Sequence, residues 1–152
     1  MGSPNLHLET NLRYSALELD PFAGVGGVIL EAFEHGYQVV SCDRDSALRY
    51  GLKDMGDLHC VADAARLPIG SRTISAIATE PPYHPEAETA VISSLKEMHR
   101  VLKKRGLVSM LCASRQAEAI RQTAACLRLA LKFDSPIDRK NLECVVLVLE
   151  KT

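Results

Sequence analysis

Residues Lys132–Leu149 read KFDSPIDRKNLECVVLVL. Two strand-like stretches, Lys132–Ile137 and Glu143–Leu149, flank a short polar turn, Asp138–Asn141. A parallel pair would need a crossover of about a dozen residues or more, and the turn has no room for one. These two strands therefore pair antiparallel.

Upstream the pattern is different. Strand-like stretches at Tyr14–Asp20, Gln38–Cys42, Leu58–Val61, Thr73–Thr79 and Leu107–Cys112 alternate with helical ones. Helices are expected over Gly27–His35, Asp45–Met55, Glu86–Leu102 and Ser114–Leu131. The third shows apolar residues at Ala87, Val91, Leu95, Met98 and Leu102, a helical spacing. Gly106 is read as its stop, with Lys103, Lys104 and Arg105 as a solvated last turn that suits a helix C-terminus. Thr73–Thr79, TISAIAT, is β-branched and apolar on both faces, like a strand inside a parallel sheet. Alternating strands and helices mean an α/β fold, here a mostly parallel sheet with an antiparallel C-terminal strand pair. That ending argues against a plain dinucleotide-binding fold.

The chain has 152 residues, enough for one domain, so residues 1–152 are read as a single unit with an extended lead-in over 1–13. No apolar run reaches the roughly 20 residues of a membrane helix, and the N-terminus lacks the basic and apolar regions of a signal peptide. A cytoplasmic protein with no membrane partner is expected. The five cysteines are scattered and form no C-x-x-C pair, which suits small buried side chains in a reducing compartment and gives no support for a metal. The net charge of −1 does not advertise nucleic-acid binding. A nucleic-acid substrate would need a local basic patch, for which Arg66, Arg72, Arg115 and Arg139 are candidates, or a separate domain or subunit.

Four segments at strand ends carry chemistry. The first is Asp20-Pro21-Phe22-Ala23-Gly24-Val25-Gly26-Gly27. Ligands of open α/β sheets bind beyond the carboxyl ends of strands, and glycines let backbone approach them. A nicotinamide fingerprint requires Gly or Ala three residues after Gly26, where Ile29 stands. No nucleoside-triphosphate loop is present either. The second is Asp43, placed to accept both hydroxyls of a ribose. The third is Asp63-Ala64, an acceptor beside a backbone N–H, able to read an adenine edge. The fourth is Glu80-Pro81-Pro82-Tyr83-His84. Its prolines fix an extended turn with free carbonyls, Glu80 can accept an N–H, and Tyr83 can stack on a flat ring.

Together, DPFAGVGG, Asp43, Asp63-Ala64 and Pro-Pro-Tyr resemble the class I S-adenosylmethionine-dependent amino-methyltransferases. The similarity runs from about Tyr14 to Leu149 and is greatest to the THUMP-associated tRNA guanine-N2 methyltransferases. It implies a Rossmann-like, seven-stranded sheet and S-adenosyl-L-methionine as cofactor. It also implies methyl transfer to the exocyclic amine of a nucleobase, in tRNA or other RNA. Asp20, Phe22, Ala23, Gly24 and Gly26 would line the methionine end of the cofactor, Asp43 the ribose, and Asp63 with Ala64 the adenine. Glu80, Pro81 and Pro82 would hold the amine, and Tyr83 would stack on the base.

Two departures stand out. The motif's first residue is ordinarily Asp, Asn or Ser, and here it is Glu80, one methylene longer. His84 and Pro85 follow where Gly is common, and His84 is read as a cap for the next helix. No cysteine lies in 80–84, which disfavours covalent C5 methylation. Other readings are a DNA adenine-N6 or cytosine-N4 methyltransferase, a small-molecule or protein methyltransferase, and an inactive cofactor-binding scaffold. Little precedes the first strand, so an RNA-binding domain or activating subunit is expected from elsewhere.

Overall fold

The computed structural model describes residues 16–55 and 58–152. The expected lead-in, together with Tyr14 and Ser15, lies outside them. Seven strands form one sheet. In chain order the elements are β1 Leu17–Asp20, α1 Gly27–Glu34, β2 Gln38–Asp43, α2 Arg49–Met55, β3 His59–Val61 and β4 Ile74–Thr79. Then come α3 Glu88–Val101, β5 Leu102–Ala113, α4 Ser114–Cys126, β6 Leu129–Arg139 and β7 Leu142–Lys151.

The sheet order is β3-β2-β1-β4-β5-β7-β6. The first five of these strands pair parallel. β7 runs antiparallel between β5 and β6, as the short turn before it required. A two-residue turn, Lys140-Asn141, joins β6 to β7, and both residues take positive φ, 52° and 67°. That geometry matches the right-handed twist of a hairpin.

The main core joins Val91, Leu95 and Met98 of α3 and Ile120 of α4 to Ile77, Met110 and Leu147 of the sheet. A smaller cluster, Ala23, Ile29 and Leu52, ties the first loop to α1 and α2. Cys42, Cys112 and Cys144 are buried as expected, whereas Cys126 at the end of α4 is exposed. No helix among the described residues is long and apolar enough to cross a membrane.

Three helices end earlier than expected, α1 by one residue at Glu34 and two others with a structural reason. α4 stops at Cys126 rather than Leu131, because Arg128 turns the chain with φ 59° and Leu129 enters β6, 2% exposed. Arg128 takes a left-handed conformation usually given to Gly, so no composition signal marks the turn. α3 stops at Val101, and Leu102 already pairs with Ile74 in the sheet. Lys103–Arg105 therefore belongs to a bulge at the start of β5. The cation that serves the α3 C-terminus is Lys151 of β7, whose Nζ donates to the carbonyls of His99 (2.7 Å) and Leu102 (2.9 Å).

Gly106 closes this bulge. A Cβ there would lie 2.9 Å from the Lys103 carbonyl oxygen and 3.0 Å from that of Ser75. Backbone cannot yield as a flexible side chain does. Gly106→Ala is expected to cost about 1–3 kcal/mol, read as a lower urea midpoint at unchanged m.

Candidate active site

β1, β2, β3 and β4 run parallel, so their carboxyl ends share one edge of the sheet. All four segments singled out above arrive there. Asp20 ends β1, Asp43 ends β2, Asp63 follows β3 by two residues and Glu80 follows β4 by one.

The first loop folds over Asp20. This carboxylate is 1% exposed, and its Oδ1 accepts from the Thr79 hydroxyl (2.7 Å) and the Phe22 N–H (3.1 Å). Burial pushes its pKa from 3.8 to about 6, against the pull of those two bonds, and the nearby charges of Asp43 and Glu80 push the same way. Ala23 is buried beside it and Phe22 half-buried.

Gly24 and Gly26 have positive φ, 52° and 90°. At φ 90° any L side chain is strained, and a Cβ on Gly26 would also make the Met55 side chain of α2 shift, so this turn favours glycine. The Ala23 N–H donates to the Cys42 carbonyl (3.0 Å) and the Gly24 N–H to Asp43 Oδ2 (2.9 Å). These two bonds hold the glycine loop to the end of β2.

Asp43 Oδ1 accepts a second backbone bond, from Asp45 (2.9 Å). Asp45 itself caps the next short turn by accepting from the Ala47 N–H (2.9 Å). Asp43 thus anchors the loop as well as facing the site, and each of its oxygens keeps a lone pair for a further donor.

Asp63 lies beside Asp43, because the Ala62 N–H donates to the Asp43 carbonyl (3.0 Å). Asp63 is exposed and accepts from the Ala65 N–H (2.8 Å), and Ala64 is buried. Arg100 of α3 pins the segment that follows. Its guanidinium grips both oxygens of Glu97 (2.7 and 2.8 Å) and donates to the carbonyls of Ile69 (2.8 Å) and Leu67 (3.1 Å).

After β4, the Tyr83 hydroxyl donates to Glu80 Oε2 (3.2 Å). Pro81 is buried and Pro82 exposed. The Pro82 carbonyl is occupied: it accepts from Nε2 of Gln116 (3.0 Å), while Gln116 Oε1 accepts from the Ala113 N–H (3.1 Å). Among the described residues no donor reaches the Pro81 carbonyl. His84 precedes a short turn, Pro85–Ala87, at its N-cap position but without a side-chain cap bond, and its ring instead meets Glu86 (3.2 Å). A cleft of about 410 Å³ opens beside Glu80, lined by Val28, Glu31 and Ala32 of α1 with Glu18 and Ala78 of the sheet.

Three contacts at this edge were not foreseen. Thr79 meets Asp20, fully buried Gln116 braces the Pro-Pro turn, and Arg139 of β6 pairs with Glu80. Gln116 had a signal: Gln three residues into a helix is half of a capping box. Arg139, a candidate for a basic face from sequence, is instead engaged by an acid at this edge. No group of three or more His, Cys, Asp or Glu among the described residues is arranged for a metal.

No family model matches the chain. It is 32% identical over 108 aligned positions to the tRNA (guanine(10)-N2)-dimethyltransferase of Methanothermobacter thermautotrophicus, a match covering 60% of this chain and 31% of that protein. Among solved structures, TrmN from Thermus thermophilus superposes with a TM-score of 0.79 at 22% identity, covering 95% of this chain and 46% of that one. A TehB-like SAM-dependent methyltransferase from Corynebacterium glutamicum gives 0.73 at 18% identity, over 95% and 85% of the two chains. The match thus spans about a third of the curated relative's length. With its strand order, its single antiparallel strand at β7 and these likenesses, the chain has the class I methyltransferase fold and is similar in sequence to a tRNA guanine-N2 methyltransferase.

Proposed function

We propose that this chain is the catalytic domain of an S-adenosylmethionine-dependent methyltransferase that modifies the exocyclic amine of a base in RNA, with tRNA guanine N2 as the first candidate. The observation that carries the reading is the acidic strand edge. Asp20 is 1% exposed, where its own ionisation is disfavoured, beside a loop that is glycine at positions 24, 26 and 27, with Asp43 and Glu80 close by. Retaining a carboxylate there makes sense if a cationic ligand restores its charge.

The residues fit the cofactor. Asp20 would face its ammonium or sulfonium charge, Phe22, Ala23, Gly24 and Gly26 would shape the methionine end, and Asp43 would accept the ribose hydroxyls with its spare lone pairs. Asp63 and Ala64 would receive the adenine. When bound, S-adenosylmethionine supplies an electrophilic methyl on sulfur.

The chain's own groups then position the acceptor. Glu80 and the unengaged Pro81 carbonyl accept the two N–H bonds of an amine, aiming its lone pair inward. Pro82, braced by Gln116, keeps the turn from collapsing. Tyr83 stacks on the base, which must be unpaired or turned out of a helix. Catalysis of this kind is orientation plus electrostatics. The net charge of −1 leaves much of the grip on RNA to a separate domain or subunit, so the chain alone should transfer slowly but detectably at high RNA concentration. The relative's named substrate, a tRNA guanine, sets the choice of first candidate.

The test has two steps. Calorimetric titration with S-adenosylmethionine should show micromolar binding, weakened about 10–100-fold by Asp43→Ala, which removes a charged acceptor and frees the glycine loop. Tritium transfer to unmodified tRNA transcripts should then label guanine N2. Absence of binding, or binding undisturbed by Asp43→Ala, refutes the cofactor assignment; label on another atom refutes the target.

A further inference from the structure

Glu80 is the site's oddity: where a shorter acceptor is usual, it carries an extra methylene and three side-chain torsions. Left alone, such a side chain spreads over several rotamers, and fixing it costs conformational entropy. The structure shows what fixes it. Arg139 Nη1 donates to Glu80 Oε2 and also to the Tyr83 hydroxyl (3.1 Å), while Tyr83 donates to the same Oε2 (3.2 Å). Two donors from distant segments converge on one oxygen and are bonded to each other. Among the described residues no donor engages Oε1, so it is left for an incoming N–H.

Backbone pairing places Arg139. Arg139 is the last residue of β6, paired with Leu142 directly across the two-residue turn. A two-residue turn fixes the register of that pair, which sets where Arg139 stands on the strand.

We propose, building on the base-amine reading above, that Arg139 is a positioning residue: it clasps Glu80 and Tyr83 so that the longer acid presents one oxygen to the substrate amine and the phenol is held for stacking. The ordinary alternative is a surface ion pair of no consequence. Both side chains are partly exposed, 47% and 38%, and such pairs contribute little to stability. What the pair supplies is geometry, and geometry can be tested apart from stability.

The experiment compares wild type, Arg139→Ala, Arg139→Lys and Tyr83→Phe. The first readout needs no substrate. The Tyr83 phenol is raised above the usual tyrosine range by burial and by Glu80, and Arg139 opposes that rise. Alkaline ultraviolet titration, with Tyr83→Phe identifying the residue's signal, should show the phenol moving further up in Arg139→Ala. The second is tritium transfer to an unmodified tRNA transcript. Arg139→Ala should lower kcat about 10–100-fold, as a displacement of ~1 Å does, with KM for the RNA nearly unchanged. Arg139→Lys, which keeps the charge but not the fork, should recover part of kcat.

A kcat within twofold of wild type in Arg139→Ala overturns the proposal, as does an unmoved phenol. A rise in KM at constant kcat also overturns it, making Arg139 an RNA contact instead. Wild type that transfers nothing to RNA brings down the base-amine reading and this inference together. Wild type that is active beside an equally active Arg139→Ala brings down this inference alone.

Discussion

Replacing Asp20 with Asn is expected to make the protein more stable at pH 8 and less able to bind its cofactor. Asp20 has a pKa of about 6 in the folded chain against an ordinary value of 3.8, chiefly because burial opposes its charge. The folded state therefore binds the proton more tightly than the unfolded one. Its contribution to stability is full below pH 3.8 and is lost as pH rises through about 6. A difference of that size corresponds to about 3 kcal/mol.

Asn is nearly the same shape, and its carbonyl can still accept from Thr79 and Phe22. The deficit at pH 8 should therefore vanish, raising Tm by roughly 6–12 °C in a domain of this size. Calorimetric scans from pH 4 to 8 should show the gap between wild type and Asp20→Asn growing through pH 6. Glu18, also raised by burial, titrates in both proteins and cancels in that difference. Affinity for S-adenosylmethionine should fall in the same variant, since the anionic seat is gone. Equal Tm values at pH 8 would refute the buried-charge account.

The other large effect belongs to Glu80. As the amine attacks, positive charge grows on nitrogen, and a carboxylate acceptor stabilises that change more than it stabilises the ground state. Glu80→Ala should reduce kcat roughly 100–1,000-fold, the scale on which a single electrostatic contact to a transition state acts. Cofactor affinity should hardly move, because Glu80 lies on the substrate side. Glu80→Gln, which keeps an acceptor without the charge, should fall between. Glu80→Asp restores the ordinary length but loses its reach to Arg139, so its rate reports how far the clasp has replaced a shorter acid. Full activity in Glu80→Ala, measured by tritium transfer to tRNA transcripts, would remove Glu80 from the mechanism.

What could be read from the sequence follows from the range of the interactions. The alternation of strands and helices is local, so the ends of β1, β2, β3 and β4 could be located, and Asp20, Asp43, Asp63 and Glu80 do share one edge. The antiparallel ending was equally local, since a turn of a few residues admits no crossover. The errors are local signals that misled. Arg128 makes a left-handed turn without Gly, and Gly106 serves a strand bulge rather than a helix stop. Thr79 on Asp20, Gln116 on Pro82 and Arg139 on Glu80 join residues 59, 34 and 59 positions apart. Such pairings depend on which strands become neighbours, and no periodicity in one stretch encodes that.

The place of β7 also sets an order of assembly. β7 follows β6 in the chain yet sits between β6 and β5 in the sheet. As the polypeptide emerges during synthesis, β6 arrives with no partner, because its neighbour has not been made. The edge of β5 stays open until residues 142–151 are available, and β6 can join the sheet only through them. Arg139 rides on β6, so the clasp on Glu80 closes last. A nascent chain that already holds the glycine loop against Asp43 would still lack the group that aims its acceptor.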